Sequence, residues 1–379
     1  MKSLMSLWRE LADESASWCH TSAADDYKKL VSRTEAEGLS FLTITLPKYS
    51  KDLERSLEFG SIAPGSFREF AKKNGLPLFL GGFLAQIFSS NGTLLDSPNV
   101  DCILAIRQLT LMFAKIDLEC TQYRTDLAIA GYIKCEEEIA RAETDISEEL
   151  LPRFQRSARL LWSEAFQCLD ESIFYGELIP KHGPGATADG LRGNSKFDQR
   201  EWPLRLESVF PYGDYAFPSW RLYDHEDPAI FLEPGAERPV KVITVPKTLS
   251  KPRIIAIEPT CMQYMQQAIS KRLVEVLEEG SCPHPHGGGH KFGYSGFVGF
   301  KVQEINRLLA LKGSINCSLA TLDLSEASDR VLNRHVELLF DGFPHLSEAV
   351  QATRSLKACV PAHFSVPSQI LELRKFASM

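Results

Sequence analysis

The hydrophobic pattern of this chain changes character at Lys181, and that change restricts the fold more than any other feature. Before it, apolar residues recur at helical spacing. Ile103, Ile106, Leu109, Phe113 and Ile116 keep an approximate helical period, and Leu150 to Phe174 does the same. Beyond it the chain is rich in Gly, Pro and aromatics, with turn signals at Gly183-Pro184-Gly185 and Arg192-Gly193-Asn194. Short strand candidates follow at Pro239–Val245 and Arg253–Ile257, then a helix over Gln266–Glu279 and a shorter one over Gln303–Leu311. Leu319–Leu324 reads as a strand that runs into a helix over Val331–Phe340. In the first 60 residues, two helices are expected on either side of a strand-like run, Phe41–Leu46. The pattern describes an α+β protein: a helical first half followed by a mixed second half. The triplet Glu136-Glu137-Glu138 reads as a solvated helix face, and no internal repeat stands out.

Charge separates the same halves. Residues 1–180 carry 19 basic and 27 acidic groups, net −8, whereas 181–379 carry 23 and 22, net +1. A chain of net −7 does not coat nucleic acid in general, so a polyanion would have to meet local basic clusters in the second half. The nearest approach to a membrane span, Leu76–Phe88, is short and interrupted by Pro77, Gly81 and Gly82. The amino-terminal residues turn charged at Arg9 and Glu10 before any signal-peptide core develops. Nine scattered cysteines without a Cys-x-x-Cys pair fit a reducing compartment, so a cytoplasmic protein is expected.

Four segments can carry chemistry. Thr321–Arg330 places Asp323 at the end of an apolar run and Asp329 six residues later, at the start of a helix. Carboxylates are hard oxygen ligands of the kind that bind Mg²⁺ beside substrate phosphates. The same spacing also suits an ordinary turn residue followed by a helix cap. Between Arg238 and Ile257 there are five cations, Arg238, Lys241, Lys247, Lys251 and Arg253, and no acid. A hairpin edge of this kind can clamp a triphosphate, or can simply be a lysine-protected edge. Lys181-His182-Gly183-Pro184-Gly185-Ala186-Thr187 allows close approach to phosphate but lacks the ending of a P-loop, and a tight structural turn explains it equally well. Cys282, His284, His286 and His290 raise the question of zinc, yet their spacing matches no structural zinc pattern and a solvated loop is the simpler reading.

The order of these segments resembles the replicases of positive-strand RNA phages, the levivirus-like group. The resemblance rests on Thr244–Gln267, Gln303 with Asn306, Gly313-Ser314, Leu319–Asp329 and Lys375-Phe376-Ala377-Ser378-Met379, and is most specific over 181–379. Leu80–Leu84 and Arg107-Gln108 look similar without carrying a catalytic motif. The resemblance implies an RNA-directed RNA polymerase of the right-hand, fingers–palm–thumb type. Residues 1–180 would be a helical N-terminal and fingers region, 181–318 fingers with the basic nucleotide-binding hairpin, and 319–379 the first part of the palm. It assigns Lys247, Lys251 and Arg253 to the incoming triphosphate, Asp323 to the catalytic Mg²⁺ ions and Asp329 to the ribose hydroxyl. Lys181 and His182 would lie on the template or nucleotide path.

A two-ion phosphoryl-transfer site needs more than one carboxylate, and the family supplies the others from a Gly-Asp-Asp turn farther along. The match runs out at Ser378-Met379, where the next family motif begins, so the expectation is of a polymerase chain lacking the rest of the palm and the thumb. The implied partners are RNA template and product, ribonucleoside triphosphates, host translation elongation factors and a ribosomal protein, in the cytoplasm of a bacterial host and away from membranes. Two alternatives remain at the level of sequence. One is a non-catalytic RNA-binding or assembly subunit of a split polymerase. The other, a generic Mg²⁺-dependent phosphohydrolase, explains the aspartates but not the basic hairpin.

Overall fold

The computed structural model describes residues 2–217, 229–280, 298–301, 303–324 and 326–377. It divides into two compact units, residues 1–128 with 244–253, and residues 129–243 with 254–379.

The first unit is built on helices α1 (Lys2–Trp18), α2 (Ala24–Glu37) and α3 (Leu46–Glu58). A two-residue ribbon, β1 (Lys72–Lys73) with β2 (Leu76–Pro77), leads to the single turn α4 (Gly81–Leu84), and α5 (Val100–Leu111) completes the unit's core. Trp8 is fully buried at the centre, and its indole N–H donates to the Leu109 carbonyl at 2.8 Å, which fastens α1 to α5. Around it Tyr49, Phe67, Phe70 and Phe79 pack edge-on or offset, with centroids 4.6–5.9 Å apart. The expected strand at Phe41–Leu46 is instead a π-helical turn, Phe41–Thr45, that feeds directly into α3. Phe41, Leu42, Thr43 and Thr45 are all buried. A continuous apolar run satisfies a strand or a wholly buried helical turn equally, and here the helix that follows decides.

Besides His20 and Asn74, two buried apolar residues of this unit occupy the left-handed region, Phe67 (φ 52°) and Leu80 (φ 55°). That conformation costs a side-chain-bearing residue about 1–2 kcal/mol. Each has its N–H taken by a buried carboxylate: Phe67 donates to Asp52 Oδ2 at 2.7 Å, and Leu80 to Asp26 Oδ1 at 2.6 Å. Leu80 turns the chain into Gly81-Gly82, and a Cβ on Gly82 would lie 2.1 Å from Thr21 Oγ1, so a larger residue there would have to displace the threonine hydroxyl.

Helix α6 (Gln122–Thr144) runs on into the second unit, followed by α7 (Leu150–Phe174). Then come β3 (Glu201–Pro203), the short turns α8 (Leu204–Glu207) and α9 (Tyr212–Tyr215), and β4 (Ile230–Leu232), which pairs parallel with β3. The main sheet is formed by β5 (Val240–Val245), β6 (Arg253–Ile257), β7 (Lys357–Val360) and β8 (Gln369–Glu372), in the order β6-β5-β7-β8. In it β5 and β7 are parallel, Val240 opposite Ala358, while β7 and β8 are antiparallel, Lys357 opposite Glu372. Ile129 and Tyr132 of α6 pack on Val240, Val242, Ala256, Ala358 and Val360. A larger core joins α7 to α10 (Thr260–Val274) and α13 (Pro344–Thr353) through Phe166, Leu169, Met262, Met265 and Leu346. Phe166 meets Phe340 and Phe343 edge-on at 5.0 and 5.6 Å. The remaining helices are α11 (Glu304–Asn316) and α12 (Asn333–Leu339). The mixture of long helices and small sheets is α+β, and both expected hairpin strands are present. None of the helices among the described residues is long and apolar enough to cross a membrane.

Asp26 gives the first unit a pH dependence. Burial pushes its carboxyl up to about 6, against the opposing Leu80 amide and with help from Asp25. A carboxyl raised on folding adds stability that is complete below its ordinary value and lost as pH rises through about 6. Asp26→Asn keeps the acceptor for Leu80 and removes the charge. Between pH 4 and 7, therefore, the melting temperature of the wild type should fall relative to Asp26→Asn, a relative loss of about 2–3 kcal/mol in a calorimetric pH series.

Candidate functional site

The basic hairpin is closed by its own side chains. Thr248 Oγ1 accepts the Lys251 N–H at 3.2 Å and meets Ser250 Oγ at 2.8 Å. Its tip, residues 244–253, belongs to the first unit, where Arg124 Nη1 donates to the Leu249 carbonyl at 2.8 Å and Cys120 Sγ to the Thr248 carbonyl at 3.0 Å. Lys247, Lys251 and Arg253 are all exposed on this tip, and Lys247 and Arg253 have no carboxylate partner among the described residues. Arg238 is different: Glu201 binds it in a bidentate pair at 2.6 and 3.0 Å. The three cations that the resemblance assigns are thus exposed together on a loop whose shape is held by its own hydrogen bonds.

The Lys181–Thr187 turn is held from below by a lysine that sequence reading missed. Lys196 is 2% exposed, and its ammonium donates to the carbonyls of Gly183 and Gly185 at 2.6 and 2.5 Å. The His182 ring stacks on Tyr264 at 4.2 Å and takes the edge of Phe197 at 4.6 Å. Burial first, and the Lys196 charge second, push His182 down to about 4, so it is neutral at physiological pH. Lys181 is exposed and supplies the positive charge of this turn. Nearby, Asp189 accepts from the Thr260 hydroxyl and amide at 2.6 and 3.1 Å. Burial raises this carboxyl, but hydrogen bonds from Thr187, Thr260 and Leu191 outweigh it and hold Asp189 below the usual range. The turn is therefore seated on the first turn of α10. No sequence signal marks Lys196, because its partners are main-chain carbonyls.

The two motif aspartates have different surroundings. Residues 319–324 form no strand and are exposed, Leu322 at 86% and Leu324 at 73%. A strand needs a ladder partner, and the sheet of this unit is made by β5 to β8 without them. The chain turns back after α11, where Cys317 is left-handed and a Cβ on Gly313 would lie 2.8 Å from the Leu319 carbonyl oxygen. Helix α11 is longer than expected and buries none of its residues. Asp323 is exposed on this stretch. No cluster of three or more His, Cys, Asp or Glu able to hold a metal occurs among the described residues. The Cys282–His290 loop lies outside the described residues.

Asp329 lies on a 3₁₀ turn, Ser328–Arg330, and does not cap the next helix, which starts at Asn333 with no side-chain cap. Its carboxylate goes to Lys375. The backbone makes this possible: Phe376 N–H donates to the Val331 carbonyl at 2.7 Å, and Leu332 bridges antiparallel to Lys375. Beneath, Glu136 is 4% exposed and accepts the N–H groups of both Arg374 and Lys375. The acidic triplet is therefore not a uniformly solvated face. Its first member is buried, while Glu138 is part-exposed and pairs with Arg330 at 2.8 Å.

Residues 295–379, which include Asp323, Asp329 and Lys375, match the model of the RNA replicase β-chain family. The class to which the aspartate-bearing segment is similar is thus a viral RNA replicase. Over 139 residues the chain is 31% identical to the RNA-directed RNA polymerase subunit beta of Qbeta virus (strain MX1), a stretch that covers 37% of this chain and 20% of that relative. The chain spans about a fifth of the length of the curated relative it matches. The likeness to the RNA-phage replicases read from the sequence therefore holds.

Lys196→Met would leave the part-buried carbonyls of Gly183 and Gly185 without their donor. Charge-assisted hydrogen bonds of this kind contribute about 1.5–3 kcal/mol each. The variant should lose at least about 2 kcal/mol in denaturant unfolding, and amide exchange over 183–187 should accelerate ahead of α10.

Proposed function

We propose that the chain works in template-directed RNA synthesis, as the nucleotide-gripping part of an RNA-dependent RNA polymerase of the phage replicase kind with a right-hand layout. The observation that carries this reading is the replicase β-chain match over the segment that bears Asp323 and Asp329. In it the exposed cations Lys247, Lys251 and Arg253 neutralise the triphosphate of the incoming ribonucleotide, Arg253 through its planar fork and the lysines as point charges. Phosphoryl transfer depends on positioning and charge neutralisation more than on covalent chemistry, and a loop of fixed shape supplies both. Asp329 accepts a hydrogen bond from the ribose 2′-hydroxyl, the group that separates RNA from DNA precursors. Asp323 serves as one hard oxygen ligand for Mg²⁺. Lys181 and His182 lie along the RNA path, the lysine as a phosphate contact and the neutral ring as a stacking surface. Host translation elongation factors and a ribosomal protein are the partners this reading brings, in the cytoplasm of a bacterial host.

The alternative reading is a non-catalytic RNA-binding or assembly subunit of a split polymerase. Incorporation of labelled nucleotide on an RNA template separates the two. In a complete enzyme, with the segment carrying the Gly-Asp-Asp turn present, the polymerase reading expects Asp323→Asn to lower incorporation to background while RNA affinity stays within about twofold, because a metal ligand and not a phosphate contact is lost. Incorporation by Asp323→Asn at the wild-type rate would remove Asp323 from the metal site. RNA binding with no incorporation by the wild type, even when a segment carrying the Gly-Asp-Asp turn is supplied, would favour the subunit reading.

The hairpin has its own test. In the same complete enzyme, Lys247→Ala and Arg253→Ala should each raise the nucleotide KM and lower kcat, with kcat/KM down by about 10²–10³-fold, since the cations also meet charge that develops in the transition state. Unchanged nucleotide kinetics in both variants would reduce the segment to a protected hairpin edge.

A further inference from the structure

Lys375 has no solvent exposure, which is rare for a lysine and requires partners inside the protein. Three groups meet its ammonium. The Tyr132 ring lies 3.7 Å away from centroid to nitrogen, Asp329 Oδ1 is at 3.1 Å and Glu136 Oε2 at 3.8 Å. The three are not equivalent. Glu136 is held by the main chain, since its other oxygen takes the N–H groups of Arg374 and Lys375. Tyr132 is 5% exposed on α6. Both fix the ammonium from inside the unit. Asp329 is the outermost member, with 22% of its side chain exposed, against 5% for Glu136 and none for Lys375. One Asp329 oxygen is bound to the lysine, and the other has no hydrogen-bond partner among the described residues. The nearby charges of Arg330, Glu138 and Glu326 form their own exposed network and leave this oxygen alone.

We infer that Lys375 is a positioning residue for sugar selection: clamped beneath Asp329, it fixes the carboxylate so that the second oxygen is presented to the 2′-hydroxyl of a ribonucleoside triphosphate. This rests on the function proposed for Asp329 above and adds the device that makes it selective. A carboxylate free to rotate must lose that freedom when it binds the hydroxyl. One already tied by a charge-assisted bond on its inner oxygen has lost it beforehand, so the whole of the outer bond counts towards discrimination. Lys375 itself touches no substrate in this arrangement and acts only through Asp329.

The test measures equilibrium binding of GTP and dGTP, each with Mg²⁺, to the full chain by titration calorimetry. The wild type should prefer GTP by about tenfold or more, the amount expected from one hydrogen bond to a charged group. Asp329→Ala should bring the two affinities within about twofold of each other. Lys375→Met should do the same by weakening GTP alone, leaving dGTP affinity unchanged. In the double variant Asp329→Ala/Lys375→Met, the GTP to dGTP ratio should equal that of Asp329→Ala, because the lysine has nothing left to orient. If Asp329→Ala loses the preference and Lys375→Met keeps it, Lys375 is structural only; the inference falls while the reading of Asp329 stands. Equal weakening of both nucleotides by Lys375→Met has the same meaning. If the wild type shows no preference, or Asp329→Ala retains it, the sugar-selecting reading fails first and takes the inference with it. Should Lys375→Met not melt cooperatively, Lys375→Met/Glu136→Gln removes a buried carboxylate together with the lysine, and the same ratio is read on that variant against Glu136→Gln.

Discussion

A helix carboxylate that binds the main chain of a distant segment governs the second unit. Glu136, in the middle of α6, takes the N–H groups of Arg374 and Lys375, just beyond the last strand of the sheet. Once 374–376 is fixed there, it offers an edge to residues 331–333, and the antiparallel contact around Leu332 follows. The 3₁₀ turn that bears Asp329 is then anchored at its following residue. Arg354 works from the other side: it is buried, and donates to the carbonyls of Leu373 and Lys375 at 2.6 and 2.8 Å. With Glu136 on its amides and Arg354 on its carbonyls, a segment outside any ladder has its polar groups satisfied inside the protein, the condition for burying irregular backbone.

The first unit uses the same device on a smaller scale. Asp26 and Asp52 each bind the amide of a left-handed residue, Leu80 and Phe67, neither of which is glycine. A carboxylate in a dry environment forms a strong bond to an amide that faces it, and here that bond offsets the backbone cost of the turn. Lys196 does the converse in the second unit, a buried cation gathering two carbonyls of a glycine-rich turn. In each case an irregular stretch has a definite shape because a single charge, removed from water, is shared with the main chain.

This also explains how much of the fold and the candidate site could be read beforehand. The helical period of 100–116 and 150–174, the strands at Val240–Val245 and Arg253–Ile257, and the exposed cations between them were legible because each is written in local pattern. Asp329 stood out through the order of motifs around it. Glu136 did not, since in an acidic triplet nothing local distinguishes the member that faces inward, and its partners lie 238 and 239 residues away. Lys375 was seen only as part of a motif, and its burial depends on two carboxylates and a ring from elsewhere in the chain. Leu319–Leu324 and Phe41–Leu46 failed as strands for a related reason. An apolar run states that burial is wanted but leaves open whether a sheet, a helix or nothing receives it.

The long span of these contacts has a consequence for how the second unit acquires its order. The polar cluster joins α6 to residues near 329 and near 375, so its loops close late and slowly compared with the local contacts of α6 and α7. During synthesis, which delivers the amino-terminal part first, Glu136 precedes its main-chain partners by 238 and 239 residues and cannot be buried against them until they have been made. Only when 374–376 docks do Glu136 and Lys375 leave water together, each neutralising the other at the moment of burial. The direction of Asp329 is therefore among the last details that this part of the chain acquires, and it arrives in one step with the closing of the backbone around Leu332.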